Sequence, residues 1–71
     1  MAKKNVASLK NCVNACATGD LVCATTCEDV FLLGDGNTVV KVNGGKVFRD
    51  TVGGKVFIND SGQVGPLPPG Y

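Results

Sequence analysis

The chain has 71 residues, with seven Lys/Arg, six Asp/Glu, no His and a net charge of +1. That balance excludes a partner held by charge alone, such as a nucleic acid or an anionic membrane surface. A chain of this length makes one domain, spanning 1–71, that buries only about 60% of its unfolded surface. Phe31, Phe48, Phe57 and Tyr71 are its only aromatics, so a covalent staple is expected, and the four cysteines are the candidates.

The N-terminal MAKKNVASLK lacks the apolar core of a signal peptide, and no apolar run approaches the ~20 residues of a membrane span. Lys3 and Lys4 form the one basic pair, read as a solvated terminus. Four cysteines in a short chain point instead to an extracellular or otherwise oxidising compartment. These two signals conflict. A leader replaced by an initiator Met reconciles them, as does export without a cleaved signal; the alternative is that the cysteines stay reduced.

From 5 to 33 the pattern is helical. Val6, Leu9, Val13 and Cys16 recur at spacings of three and four and make one apolar stripe, with Asn5 or Ser8 as N-cap. Gly19 suits the left-handed residue beyond a helix end, and Asp20 suits the N-cap of a second helix. Cys23, Cys27, Val30 and Phe31 are expected on the inward stripe of that helix, and Gly34-Asp35-Gly36-Asn37 stops it.

From Thr38 the chain turns to β-branched residues, Gly and Lys. Strands are expected at about 38–42, 45–50 and 55–59. Asn43-Gly44 should form a type I′ hairpin turn, because both residues tolerate positive φ. GGKVFRD at 44–50 returns as GGKVFIND at 53–60, nine residues later. The tail 61–71, with Pro66, Pro68 and Pro69, reads as an extended arm outside the sheet. The fold class is therefore α+β and disulfide-rich: a helical hairpin at 5–33, a three-stranded antiparallel meander at 38–60, and the arm.

The cysteines stand as C-x3-C-x6-C-x3-C in NCVNACATGDLVCATTC. Cys12 and Cys16 share one helical face, as do Cys23 and Cys27, and parallel Cβ vectors on one helix are poorly placed to bond each other. If the chain reverses at Gly19-Asp20, Cys16 faces Cys23 and Cys12 faces Cys27 in a nested ladder. Each bridge would then contribute roughly 2–4 kcal/mol. Two other arrangements stay open. An unbroken helix would align all four sulfurs for cross-linking a second chain. A thiolate site for Zn or Cu(I) would use the C-x3-C pairs, although C-x2-C knuckles and His are lacking. A catalytic thiol has no base beside it.

CVNACATGDLVCATTC resembles the twin C-x3-C helical hairpins of plant defence peptides, scorpion toxins and small mitochondrial intermembrane-space proteins. The last group has longer loops between its cysteine pairs than the six residues here. The resemblance covers 16 of the 71 residues. It implies connectivity and fold, not activity, and for the last group a life without a cleaved presequence.

Other chemistry is thin. Asp50 and Asp60 sit at strand ends where turns favour Asp, and Asp20 and Glu28 serve as cap and surface residues. The paired glycines read as turns, since no phosphate-binding GxxxxGK[ST] or GxGxxG is present. No catalytic residue, metal ligand or cofactor is assigned, and the chain is expected not to be an enzyme. PPGY at 68–71 fits the pattern read by WW domains, against the plainer reading of an arm packed on its own domain or a neighbour. Lys46 and Phe48 share a face, as do Lys55 and Phe57, so one sheet face is expected to carry both phenylalanines, either buried or as a contact patch. Phe48, Phe57, Pro68, Pro69 and Tyr71 are the candidate contact residues. The expected role is a self-assembling structural or binding protein, as in a filament, coat or fibre, with the chain itself or another protein as partner. A small secreted effector or antimicrobial peptide and a thiolate metal binder are the alternatives.

Overall fold

A computed structural model describes residues 4–71, so Lys3 and the reading of the first residues lie outside it. Two helices, α1 (Val6–Asn14) and α2 (Leu21–Leu32), precede a four-stranded antiparallel sheet of order β1-β2-β3-β4. The strands are β1 (Thr38–Val42), β2 (Gly45–Arg49), β3 (Lys55–Asn59) and β4 (Val64–Gly65).

Asn5 caps α1, its side chain accepting from Ser8 N–H. Asp20 caps α2 by accepting from Cys23 N–H, which satisfies one of the orphan donors of a helix start. Gly19 has φ +83°, but α1 has already ended at Asn14; Gly19 instead lies in a turn closed from Asp20 N–H to the Ala17 carbonyl. The chain therefore reverses where Gly19-Asp20 places the reversal, and the two helices pack as a hairpin.

On α1 Leu9 and Val13 are buried and Val6 packs against the core, while Cys16, expected on the same helical stripe, packs there from the turn beyond the helix, which ends at Asn14. On α2 the inward stripe is rotated: Ala24, Cys27, Glu28 and Phe31 are buried, while Val30 is half exposed. Ala24, Cys27 and Phe31 follow the three-and-four spacing that faces the sheet, and Val30 falls outside it. Glu28 is correspondingly no surface residue. It is nearly buried and pairs with Lys46 Nζ at 3.5 Å.

The sheet departs from expectation in three ways. Val64 and Gly65 pair with Ile58 and Phe57 as a short fourth strand, so the tail enters the sheet before its prolines end the pairing. The turn at Asn43-Gly44 has positive φ only at Gly44, the sign pattern of a type II turn and not of type I′. The tail also does not continue extended to its end: Tyr71 N–H bonds the Pro68 carbonyl and Gly70 has φ +87°. Pro69 and Gly70 thus occupy the positions that favour Pro and Gly in a type II turn.

A further correction concerns the faces. Antiparallel pairing places Phe48 opposite Val56 and Val47 opposite Phe57, and opposite residues share a face. Phe48 and Phe57 therefore lie on opposite faces. The physical reason is arithmetic: with the odd link 50–54 between β2 and β3, only positions an even number apart share a face, and the repeat length of nine is odd. Phe48, Val56 and Ile58 join the core with the helices, and Phe48 meets Phe31 edge-to-face with ring centroids 5.8 Å apart. On the outer face Val47, flanked by its cross-strand partners Val40 and Phe57, is also fully buried.

The repeat is nonetheless structural. Asp50 and Asn59, nine residues apart, build the same turn. The Asp50 carboxylate accepts from Val52 and Gly54 N–H, and the Asn59 side-chain oxygen accepts from Ser61 and Gln63 N–H. Each turn places a glycine, Gly53 or Gly62, at positive φ. One unit is a five-residue strand followed by this side-chain-capped turn.

Candidate functional site

Two regions concentrate chemistry or exposed apolar surface: the sulfur cluster of the hairpin and the open edge of the sheet. In the hairpin the nested ladder forms. Cys12 bonds Cys27 and Cys16 bonds Cys23, each with Cα atoms 5.8 Å apart. That spacing is ordinary for a disulfide. The bridges lie side by side, with Cys16 Sγ only 3.9 Å from Cys27 Sγ. The sulfurs of Cys16, Cys23 and Cys27 all lie within 4.8 Å of one another. In the bridged state no thiolate is available to ligate a metal. Two intramolecular bridges fit an oxidising compartment.

The sheet edge is formed by β1, which pairs with β2 on one side only. Val39 and Val40 project to opposite faces and are 41% and 38% exposed. Beneath Val39 a groove of about 310 Å³ runs between β1 and α2, lined by Leu32, Asp29, Glu28, Lys41 and Lys46 among others. The helix beside it is apolar on its outer side too: Val22, Val30, Leu32 and Leu33 all reach solvent. Hairpin geometry leaves these side chains uncovered because α2 has one inward face and more apolar residues than that face can hold.

The candidate contact residues differ in exposure. Phe48 is 1% exposed and is a core residue, so it offers no surface. Phe57 is half-buried on the outer face, its ring lying over Gly45 and Gly65 on the two flanking strands. Such cross-strand cover compensates for strand glycines that have no side chain to pack. Pro68 is half-buried, while Pro69 and Tyr71 are exposed. The Tyr71 main-chain oxygen accepts from Lys55 Nζ at 2.8 Å, which draws the tail toward the outer face. Phe57 and the tail are thus neighbours of one face, and Phe48 is apart from both.

Asp50 has a role that strand-end position alone does not reveal. Besides its turn, it accepts from Val6 N–H at 3.0 Å, across 44 residues of sequence. That bond caps the first turn of α1 from the sheet. It is the main cause holding the Asp50 carboxyl below its ordinary value, helped by the Gly54 and Val52 N–H groups against the opposing effect of burial. Asn37 makes a second tie, donating to the Lys4 and Phe31 carbonyls at 2.6 and 2.9 Å.

No helix among the described residues is long and apolar enough to cross a membrane. No family model, curated protein or solved structure matches the chain.

Proposed function

We propose that this protein is a non-catalytic, disulfide-held module that associates with copies of itself through the free edge of β1, in an extracellular or similarly oxidising setting. The observation that supports this reading is a five-residue edge strand with exposed valines on both faces. Unpaired main-chain groups on such an edge are a template for another strand. A net charge of +1 adds little repulsion between copies.

A two-fold antiparallel pairing centred on Val40 sets Val40 against its own copy, Thr38 against Val42, and Val39 against Lys41. The two Lys41 side chains then do not oppose each other. The far side of the sheet is less inviting, because β4 has two residues and Pro66 follows it without an N–H donor. One usable edge favours a closed pair over an open filament.

Sedimentation velocity over a concentration series tests this. The unmodified chain is expected to shift to a dimer, and Val40→Lys to stay monomeric with unchanged circular dichroism. A strict monomer at millimolar concentration, or a dimer indifferent to Val40→Lys, rules the reading out.

A further inference from the structure

The outer bridge differs from the inner one in joining two residues of very different exposure. Cys12 is an exposed residue, whereas Cys27 is 5% exposed and sits against the neighbouring bridge. An incoming thiolate reaches a disulfide through its more accessible end, and Cys12 is the more exposed end of the outer bridge. Such an attack is ordinarily undone at once, because the displaced thiolate returns to the mixed disulfide it has just left. Here the displaced sulfur has another electrophile within reach: Cys16 Sγ is 3.9 Å from Cys27 Sγ.

We propose that Cys12 is a mixed-disulfide modification site for a small monothiol, kept loaded by transfer of the inner bridge. In the first step the monothiol, as thiolate, attacks Cys12 Sγ. A bond forms between its sulfur and Cys12, the Cys12–Cys27 bond breaks, and the electron pair leaves on Cys27. In the second step the Cys27 thiolate attacks Cys16 Sγ. The Cys16–Cys27 bond forms, the Cys16–Cys23 bond breaks, and the electron pair leaves on Cys23, a half-buried residue that takes up a proton. Overall one thiol is consumed. Two protein disulfides become one mixed disulfide on Cys12, one Cys16–Cys27 bridge and one Cys23 thiol. No outside oxidant is needed.

The helical hairpin stays stapled throughout, since a Cys16–Cys27 bridge still joins the turn just after α1 to α2. Cys12 stands outside the group formed by Cys16, Cys23 and Cys27. The new Cys23 thiol is therefore beside the new bridge and not beside the modified Cys12. The consequence is a surface attachment point on α1 that forms without unfolding the chain.

The test exposes the full chain to reduced glutathione, quenches with acid, alkylates free thiols and maps peptides by mass spectrometry. The expected first adduct carries glutathione on Cys12, a Cys16–Cys27 bridge and an alkylated Cys23. Glutathione on Cys12 with Cys16–Cys23 intact and Cys27 alkylated overturns the transfer. First addition at Cys16 or Cys23, or no adduct at all, overturns the site. A second measurement avoids reliance on trapping. Cys12→Ser combined with Cys23→Ser leaves only Cys16 and Cys27, which are expected to close intramolecularly in air. Free thiols or intermolecular dimers in that variant count against the proposal. Cys12→Ser with Cys16→Ser, which leaves Cys23 and Cys27 on one helix, is the control expected not to close within the chain.

Discussion

The two copies of the repeated segment share GGKVF and a turn of the same design, yet they do different work. The first copy turns its phenylalanine into the core, sends its acidic turn residue to cap α1, and pairs its lysine with a nearly buried glutamate. The second turns its phenylalanine outward over two strand glycines, leaves its turn residue as a neutral Asn, and ties its lysine to the tail. Identical local sequence has thus been given two roles by strand alternation alone. Each matched pair of positions offers a way to break that contrast.

The largest contrast lies at the phenylalanines. Phe48→Ala removes a buried ring in edge-to-face contact with Phe31 and should cost about 3–5 kcal/mol, enough to unfold most of the chain at room temperature. Phe57→Ala, at a half-buried site, should cost about 1–2 kcal/mol. Urea titrations of the two variants should differ widely in midpoint. Equal losses would mean that the outer face is covered as fully as the core.

The turn residues come next. The Asp50 carboxyl is held below its ordinary value when folded, so its contribution is present above the unfolded carboxylate value of about 3.9 and lost as pH falls through the folded one. Asp50→Asn should flatten the acid limb of the stability curve, measured by thermal melts between pH 2 and pH 6. It should also loosen the start of α1, read by amide exchange at Val6. Asn59→Asp puts a carboxylate in the sister turn without a helix to cap, and should change amide exchange at α1 little.

The smallest difference concerns the lysines. Lys46→Ala leaves the Glu28 carboxylate nearly buried without its partner and should cost about 1 kcal/mol. Lys55→Ala removes only an exposed contact and should stay within about 0.5 kcal/mol of the parent. Chemical denaturation resolves the first and should not resolve the second.

Much of the frame was legible in the residues. Cysteine spacing with a Gly19-Asp20 reversal between the pairs leads to the nested ladder through helix geometry, since every distance involved is local. β-Branched runs between Gly-containing turns locate β1 to β3 for the same reason. Less legible was anything that needs the register. Which face Phe48 takes depends on its pairing with Val56, and only the summed positions of two strands decide that. Sequence could have supplied the clue only together with the turn length: across the five-residue link 50–54, positions nine apart fall on opposite faces, whereas across the two-residue turn between β1 and β2 they share one, as Val39 and Phe48 do. The Asp50 bond to Val6 and the burial of Glu28 beside Lys46 had no local signal at all. Both join residues far apart in the chain, and both became visible only once the sheet lay against the helices. The fourth strand was masked by the prolines just beyond it, which end pairing at Gly65 but do not prevent it at Val64.

The repeat length also bears on how this sheet can change over generations. Adding or losing one nine-residue unit exchanges inside for outside in every strand downstream, moving apolar and charged residues to the wrong faces together. Adding or losing two units restores the original sidedness. Length variants of this chain should therefore be tolerated in steps of eighteen residues, and single-unit variants should survive only with compensating substitutions along the displaced strands.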